Sequence, residues 1–104
     1  MKDDFIYFSG QTSSAFDGRI TASAGVQWRL QGEEVLLMPV DSGEHFILKG
    51  SSVYLWELLS EGSFTADELL AALLEEFEVE ESVAEPEVQN FCHFLFREKL
   101  VELS

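Results

Sequence analysis

Apolar and polar positions recur with two different periods along this chain, and the change from one to the other falls near Gly50. Val26, Trp28 and Leu30 fall on one face and Gln27 and Arg29 on the other, the period of two that marks a half-buried strand. Gln31 to Glu34 makes a turn, with Gly32 free to take positive φ. Val35 to Met38 is an unbroken apolar strand, and Pro39 is expected to end its pairing. Asp41-Ser42-Gly43 signals a second turn, and His45 to Leu48 reads as a third strand. Three short strands joined by tight turns predict an antiparallel meander.

Beyond Gly50 the period becomes helical. Val53, Trp56 and Leu59, widened by Leu55 and Leu58, predict a helix from about Ser51 to Ser60, with Gly62 as its C-terminal cap. Thr65-Ala66-Asp67-Glu68 is a capping box that opens a second helix, whose stripe is Ala66, Leu69, Leu70, Leu73, Leu74 and Phe77. Glu78 to Glu81 reads as an acidic linker. A third helix is expected from Ser82, with Ser82 to Glu85 as another capping box and Pro86 confined to the first turn. Val88, Phe91, Cys92 and Leu95 form its core stripe, and Phe94 and Phe96 fall at its flanks. Leu100 to Leu103 is an extended tail. A strand meander followed by three helices predicts a winged-helix-like α+β domain with a three-stranded antiparallel sheet.

The beginning of the chain divides in two. Gly10 to Gly25 is rich in Gly, Ser, Thr and Ala and reads as loop, whereas Phe5-Ile6-Tyr7-Phe8 is a run of apolar residues costly to leave in water. That run is expected to add as a strand to an open sheet edge, in its own domain or in a second copy as a homodimer. Residues 1–19 are therefore set apart as an extension, and residues 20–104 as the domain.

Composition narrows the function. The chain has 104 residues, 46% hydrophobic, enough for one modest core. Twenty acids against six bases give a net charge of −14. That charge repels phosphate backbones and anionic lipid, and the second helix carries no base, so nucleic acid is excluded as a partner. No apolar run is long enough for a membrane span, and one cysteine, Cys92, fits a reducing compartment, so a cytoplasmic protein is expected. His45 and His93 lack metal-ligand spacing to each other or to Cys92. No phosphate loop, nucleophile elbow or catalytic triad pattern is present, and no carboxylate pair stands out. A non-catalytic protein without metal or cofactor is the expectation.

From about Ile20 to Leu103 the chain resembles the PqqD-like domains, also called RiPP recognition elements. The resemblance rests on His45-Phe46-Ile47-Leu48, then Leu55-Trp56-Glu57-Leu58-Leu59, then Glu61-Gly62-Ser63, Thr65-Ala66-Asp67-Glu68-Leu69 and Lys99-Leu100-Val101. Two positions depart from the family pattern. Lys49 stands where the family has Asn, which moves the cap of the first helix to Gly50 or Ser51, and Lys99 stands where it has Gly.

The resemblance implies binding without catalysis. Such domains capture the leader of a ribosomally made precursor peptide as an extra strand beside the third strand and against the third helix. They present it to a maturation enzyme, often a radical-SAM protein. Carried onto this chain, the peptide-binding residues are His45, Phe46, Ile47 and Leu48 on the strand, with Phe91, Phe94, Leu95 and Arg97 on the helix. Phe46 and Leu48 share one strand face, His45 and Ile47 the other. For Leu48 and Leu95 plain core packing is the favoured reading. The same outline also suits a protein–protein adaptor with no precursor-peptide ligand.

Overall fold

The computed structural model describes residues 15–104; the Phe5 to Phe8 run lies outside them. The described elements follow in the order β1 (Arg19–Ala22), β2 (Val26–Gln31), β3 (Glu34–Pro39), β4 (Phe46–Leu48), α1 (Ser51–Glu61), β5 (Phe64–Thr65), α2 (Ala66–Glu76), α3 (Glu81–Arg97) and β6 (Val101–Leu103). They form an α+β fold of two three-stranded antiparallel sheets and three helices.

The expected meander is the sheet β2-β3-β4. Gly32 makes its first turn at φ 62°, where a side chain would be strained. Val35 and Leu37 are fully buried beneath the helices. Pro39 does not end the pairing as expected: it is the last residue of β3 and still opposes Val26. At a strand's last position its missing N–H costs little, and Val40 resumes with an N–H bond to the Gly25 carbonyl at 3.0 Å. Burial fades along β2, from Val26 to Trp28 at 36% and Leu30 at 54% exposure, because the strand runs out from under the helical layer. Trp28 keeps an edge-to-face contact with the buried Trp56 at 6.2 Å.

The second sheet, β5-β1-β6, corrects the loop reading of Gly10 to Gly25. Arg19 to Ala22 is a strand because distant segments pair with it: Ile20 opposes Phe64 on one side and Leu103 on the other. The tail Val101–Leu103 thus pairs as well as packs. Thr21 Oγ1 donates to the Leu59 and Gly62 carbonyls, at 3.1 and 2.8 Å, which supplies partners to the last turn of α1. Arg19 bridges to Glu68 at 3.0 Å and donates to the Ser63 carbonyl at 2.9 Å.

β4 passes into α1 through one sharp corner. Gly50 caps α1 with φ 62° and ψ −137°, a conformation open in practice to glycine alone, and makes no side-chain cap bond. Ser52 Oγ instead donates back to the Lys49 carbonyl at 2.6 Å. Gly62 closes the helix, donating its N–H to the Leu58 carbonyl at 3.1 Å with extended backbone.

The Thr65–Glu68 capping box forms in both directions, each bond 3.1 Å. The one expected at Ser82 does not form: α3 begins at Glu81, and its N-cap residue Glu80 makes no side-chain bond. Pro86 consequently lies beyond the first turn, inside the helix. The N–H it lacks would have bonded the carbonyl of Ser82, an exposed residue whose carbonyl has water available. Trp56, Leu59, Leu69, Leu73, Val88, Cys92, Leu95 and Leu100 fill the core that the three helices share with both sheets.

α3 ends in a Schellman turn. Lys99 N–H donates to the Phe96 carbonyl at 3.1 Å and Leu100 N–H to the Leu95 carbonyl at 2.8 Å. Lys99 carries φ 62°, and it is the non-glycine residue with positive φ in the described chain.

Candidate functional site

Among the described residues β4 pairs on one side only, with β3, in the register Val35–Leu48, Leu36–Ile47 and Leu37–Phe46. Its other edge lies towards α3. The contact across that gap is aromatic: the rings of Phe46 and Phe94 meet edge-to-face with centroids 5.5 Å apart. Arg97, one turn on, lies over the Phe94 ring at 5.7 Å and pairs with Glu98 at 3.4 Å. The β4 edge and the Phe94 flank of α3 thus stand on either side of this contact, and the groove between them is the candidate site.

The eight residues expected at this site fall in four different settings. Phe46, Phe94 and Arg97 come together and line the groove. Leu48, Phe91 and Leu95 are core residues with 3%, 3% and 0% exposure, so they support the groove from beneath. Ile47 projects from the opposite face of the strand and is 57% exposed. His45 is exposed and lies outside β4, which starts at Phe46. The strand reading is one residue too long there, because no β3 residue opposes His45.

Phe16, which the sequence reading left in a loop, packs on the flank of α3 away from Phe94. Its ring packs edge-to-face on His93 at 5.2 Å and Phe96 at 5.7 Å, and its N–H donates to Gln89 Oε1. An isolated Phe in a Gly- and Ser-rich stretch was the available signal.

The groove carries little reactive chemistry. Burial pushes the Cys92 thiol up to about 12, so it stays protonated and inert. No group of His, Cys, Asp and Glu among the described residues is gathered for a metal ion. No described helix is long and apolar enough to cross a membrane. Two open clefts among the described residues lie away from the groove, one between Phe16 and the start of α2 and one between α1 and the β2–β3 turn. What the site offers is a strand edge that no described residue pairs with, beside an aromatic contact, which suits an extended peptide.

Comparison with known proteins agrees with this reading of the fold. The family model for coenzyme PQQ synthesis protein D (PqqD) matches residues 34–101. A solved structure of TbiB1 in complex with the TbiA(beta) leader peptide is similar at 27% identity and a TM-score of 0.71, covering 79% of this chain and 94% of that one. No curated protein matches the sequence. The matched stretch runs from the start of β3 through all three helices to the first residue of β6, so the chain belongs to the PqqD family.

Proposed function

We propose that this domain binds the leader segment of a ribosomally made precursor peptide and holds it for a separate maturation enzyme, with no chemistry of its own. The observation that carries the reading is the edge of β4 that no described residue pairs with, beside the Phe46–Phe94 contact. It stands in a chain similar to one solved with a leader peptide bound.

An added strand satisfies the edge groups of β4 and gives affinity with little demand on sequence. Alternate side chains of the peptide then face the Phe46–Phe94 wall, where a large apolar residue displaces water and sets register. Arg97 at one end of the groove draws a peptide carboxylate. Lys49 stands next to β4 and already pairs with Glu34 at 3.7 Å, so it contributes less.

The test is fluorescence anisotropy of a labelled leader peptide encoded beside this chain's gene, titrated with the full chain. Saturable binding is expected, lost with a scrambled peptide and weakened at least tenfold by Phe94→Asp, since burying a charge against Phe46 costs more than 1.4 kcal/mol. Failure of a folded protein to bind that leader would point to an adaptor with a protein partner instead.

A further inference from the structure

We propose that the cleft between α1, the β2–β3 turn and the end of α2 is a second docking surface, which takes a segment of the maturation enzyme carrying one large apolar side chain between lysines or arginines. This inference rests on the leader-binding reading above and names where the enzyme that receives the peptide is held.

The floor of the cleft is apolar. β2 runs out from under the helices, so Leu30 is left 54% exposed at the mouth. Val53, half-buried in the first turn of α1, continues the floor. Tyr54 and Phe77 close it, their rings edge-to-face at 5.7 Å. The open space over them is about 600 Å³, the size of a ligand pocket and not of a packing defect.

The rim is acidic. Glu33 on the turn, Glu57 on α1 and Glu76 at the end of α2 border the floor, and none of the three pairs with a base among the described residues. Lys49 is the base among the lining residues, and Glu34 already holds it at 3.7 Å. Four carboxylates thus surround one committed ammonium. Their field reaches the floor: burial first, and then the Glu76 and Glu75 carboxylates, raise the Tyr54 hydroxyl above its usual pKa. A cleft lined by one sign of charge over apolar walls concentrates that field on whatever enters.

The combination chooses among occupants. Carboxylates alone make a solvated face, and one exposed leucine alone needs no explanation. Together they match a segment whose apolar side chain fills the floor while flanking bases meet the rim. A second copy of this chain is a poor fit, since each copy carries a net charge of −14 and the two repel. Placement favours the enzyme over the leader. Phe46, at the start of β4, belongs to the groove, whereas Lys49 and Gly50, just past the end of β4, wall the cleft. A protein seated there leaves the groove to the peptide and stands by the end of the strand that carries it.

The probe is the purified maturation enzyme encoded beside this chain's gene, titrated with the full chain by biolayer interferometry without leader peptide. Saturable binding is expected, weakening as salt rises. Glu57→Lys/Glu76→Lys should weaken it at least tenfold and flatten the salt dependence, with leader affinity unchanged. Leu30→Gln should weaken it through faster dissociation, with the salt dependence kept. The charge-matched control is Glu61→Lys/Asp67→Lys, at the far ends of the same two helices, and it should bind within about twofold of the parent. Leader binding, or circular dichroism where the leader does not bind, checks that each variant is folded. No binding by the parent, no weakening by the cleft pair, equal weakening by the control pair, or no effect of Leu30→Gln overturns the proposal. A parent dimer in sedimentation velocity that Leu30→Gln dissolves also overturns it and gives the cleft to a second copy. If the leader binds but the enzyme ignores the cleft, only this inference fails. If the enzyme binds through the cleft but the leader does not bind, the leader reading fails instead and the chain is an adaptor.

Discussion

Replacing Lys99 with glycine should make this protein more stable. Lys99 holds φ 62° at the residue after the α3 cap, where its Cβ crowds the following carbonyl. The turn cannot relax, because the Lys99 and Leu100 N–H groups are both committed to carbonyls of the last helical turn. A non-glycine residue in this region is strained by about 1–2 kcal/mol. Glycine removes the strain but frees the unfolded chain, which takes back about 0.4–1 kcal/mol. Loss of the lysine charge at a helix C-terminus takes back roughly another 0.3 kcal/mol. The net expectation is a gain of about 0.5 kcal/mol, or ~2–4 °C in the melting temperature of a chain this long. Lys99→Ala is the control: it loses the charge and keeps the Cβ, so it should be neutral or slightly destabilising. Urea unfolding of the three proteins, read as a change in midpoint at constant slope, measures both effects. A Lys99→Gly midpoint no higher than that of Lys99→Ala would refute the strain argument.

Two other expectations concern titrating groups. Glu68 is held below the usual carboxylate range, first by the Thr65 backbone N–H and then by Arg19. A carboxyl depressed on folding stabilises above its unfolded pKa, about 4.3, and loses that contribution as pH falls through the lower folded value. Glu68→Gln should therefore lower the urea midpoint at pH 7 and differ little from the parent in strong acid; an undiminished difference in acid would show that charge is not the cause. Cys92, with its thiol pushed to about 12 by burial, should react with a disulfide reagent at mildly alkaline pH only as fast as the fold opens, and free-thiol rates in native buffer would count against the packing of α3.

Much of this fold could be read locally. The alternation in Val26 to Leu30 set β2, the apolar run set β3, and the Thr65–Glu68 pair marked the start of α2 to the residue. The stripe Val88, Phe91, Cys92, Leu95 is buried as its spacing requires. What was not legible depends on partners far away. Arg19 to Ala22 carries two polar residues in four and becomes a strand only because β5 and β6 flank it. Pro86 was expected to set the helix start, but a proline in the second turn forfeits one bond to an exposed carbonyl, and the core stripe outweighs that. At the groove, helical spacing set Phe94 apart because it leaves the stripe, and its ring does meet Phe46. That Phe91 and Leu95 sit beneath the groove, and that Phe16 anchors on the far flank, required the packing of α3 against its neighbours.

The two sheets also differ in when they can form. Pairings within β2-β3-β4 join residues close in sequence, whereas β1 reaches across almost the whole domain, from Ile20 to Leu103. Loop-closure entropy delays such distant pairing, so the meander comes early and the β1–β6 clasp late. The residues just ahead of β1, Phe16 among them, are positioned only once that clasp shuts. The β4 edge is thus built before Phe16 is seated on the far flank of α3, so the strand nearest the candidate site does not wait for the two ends of the domain to meet.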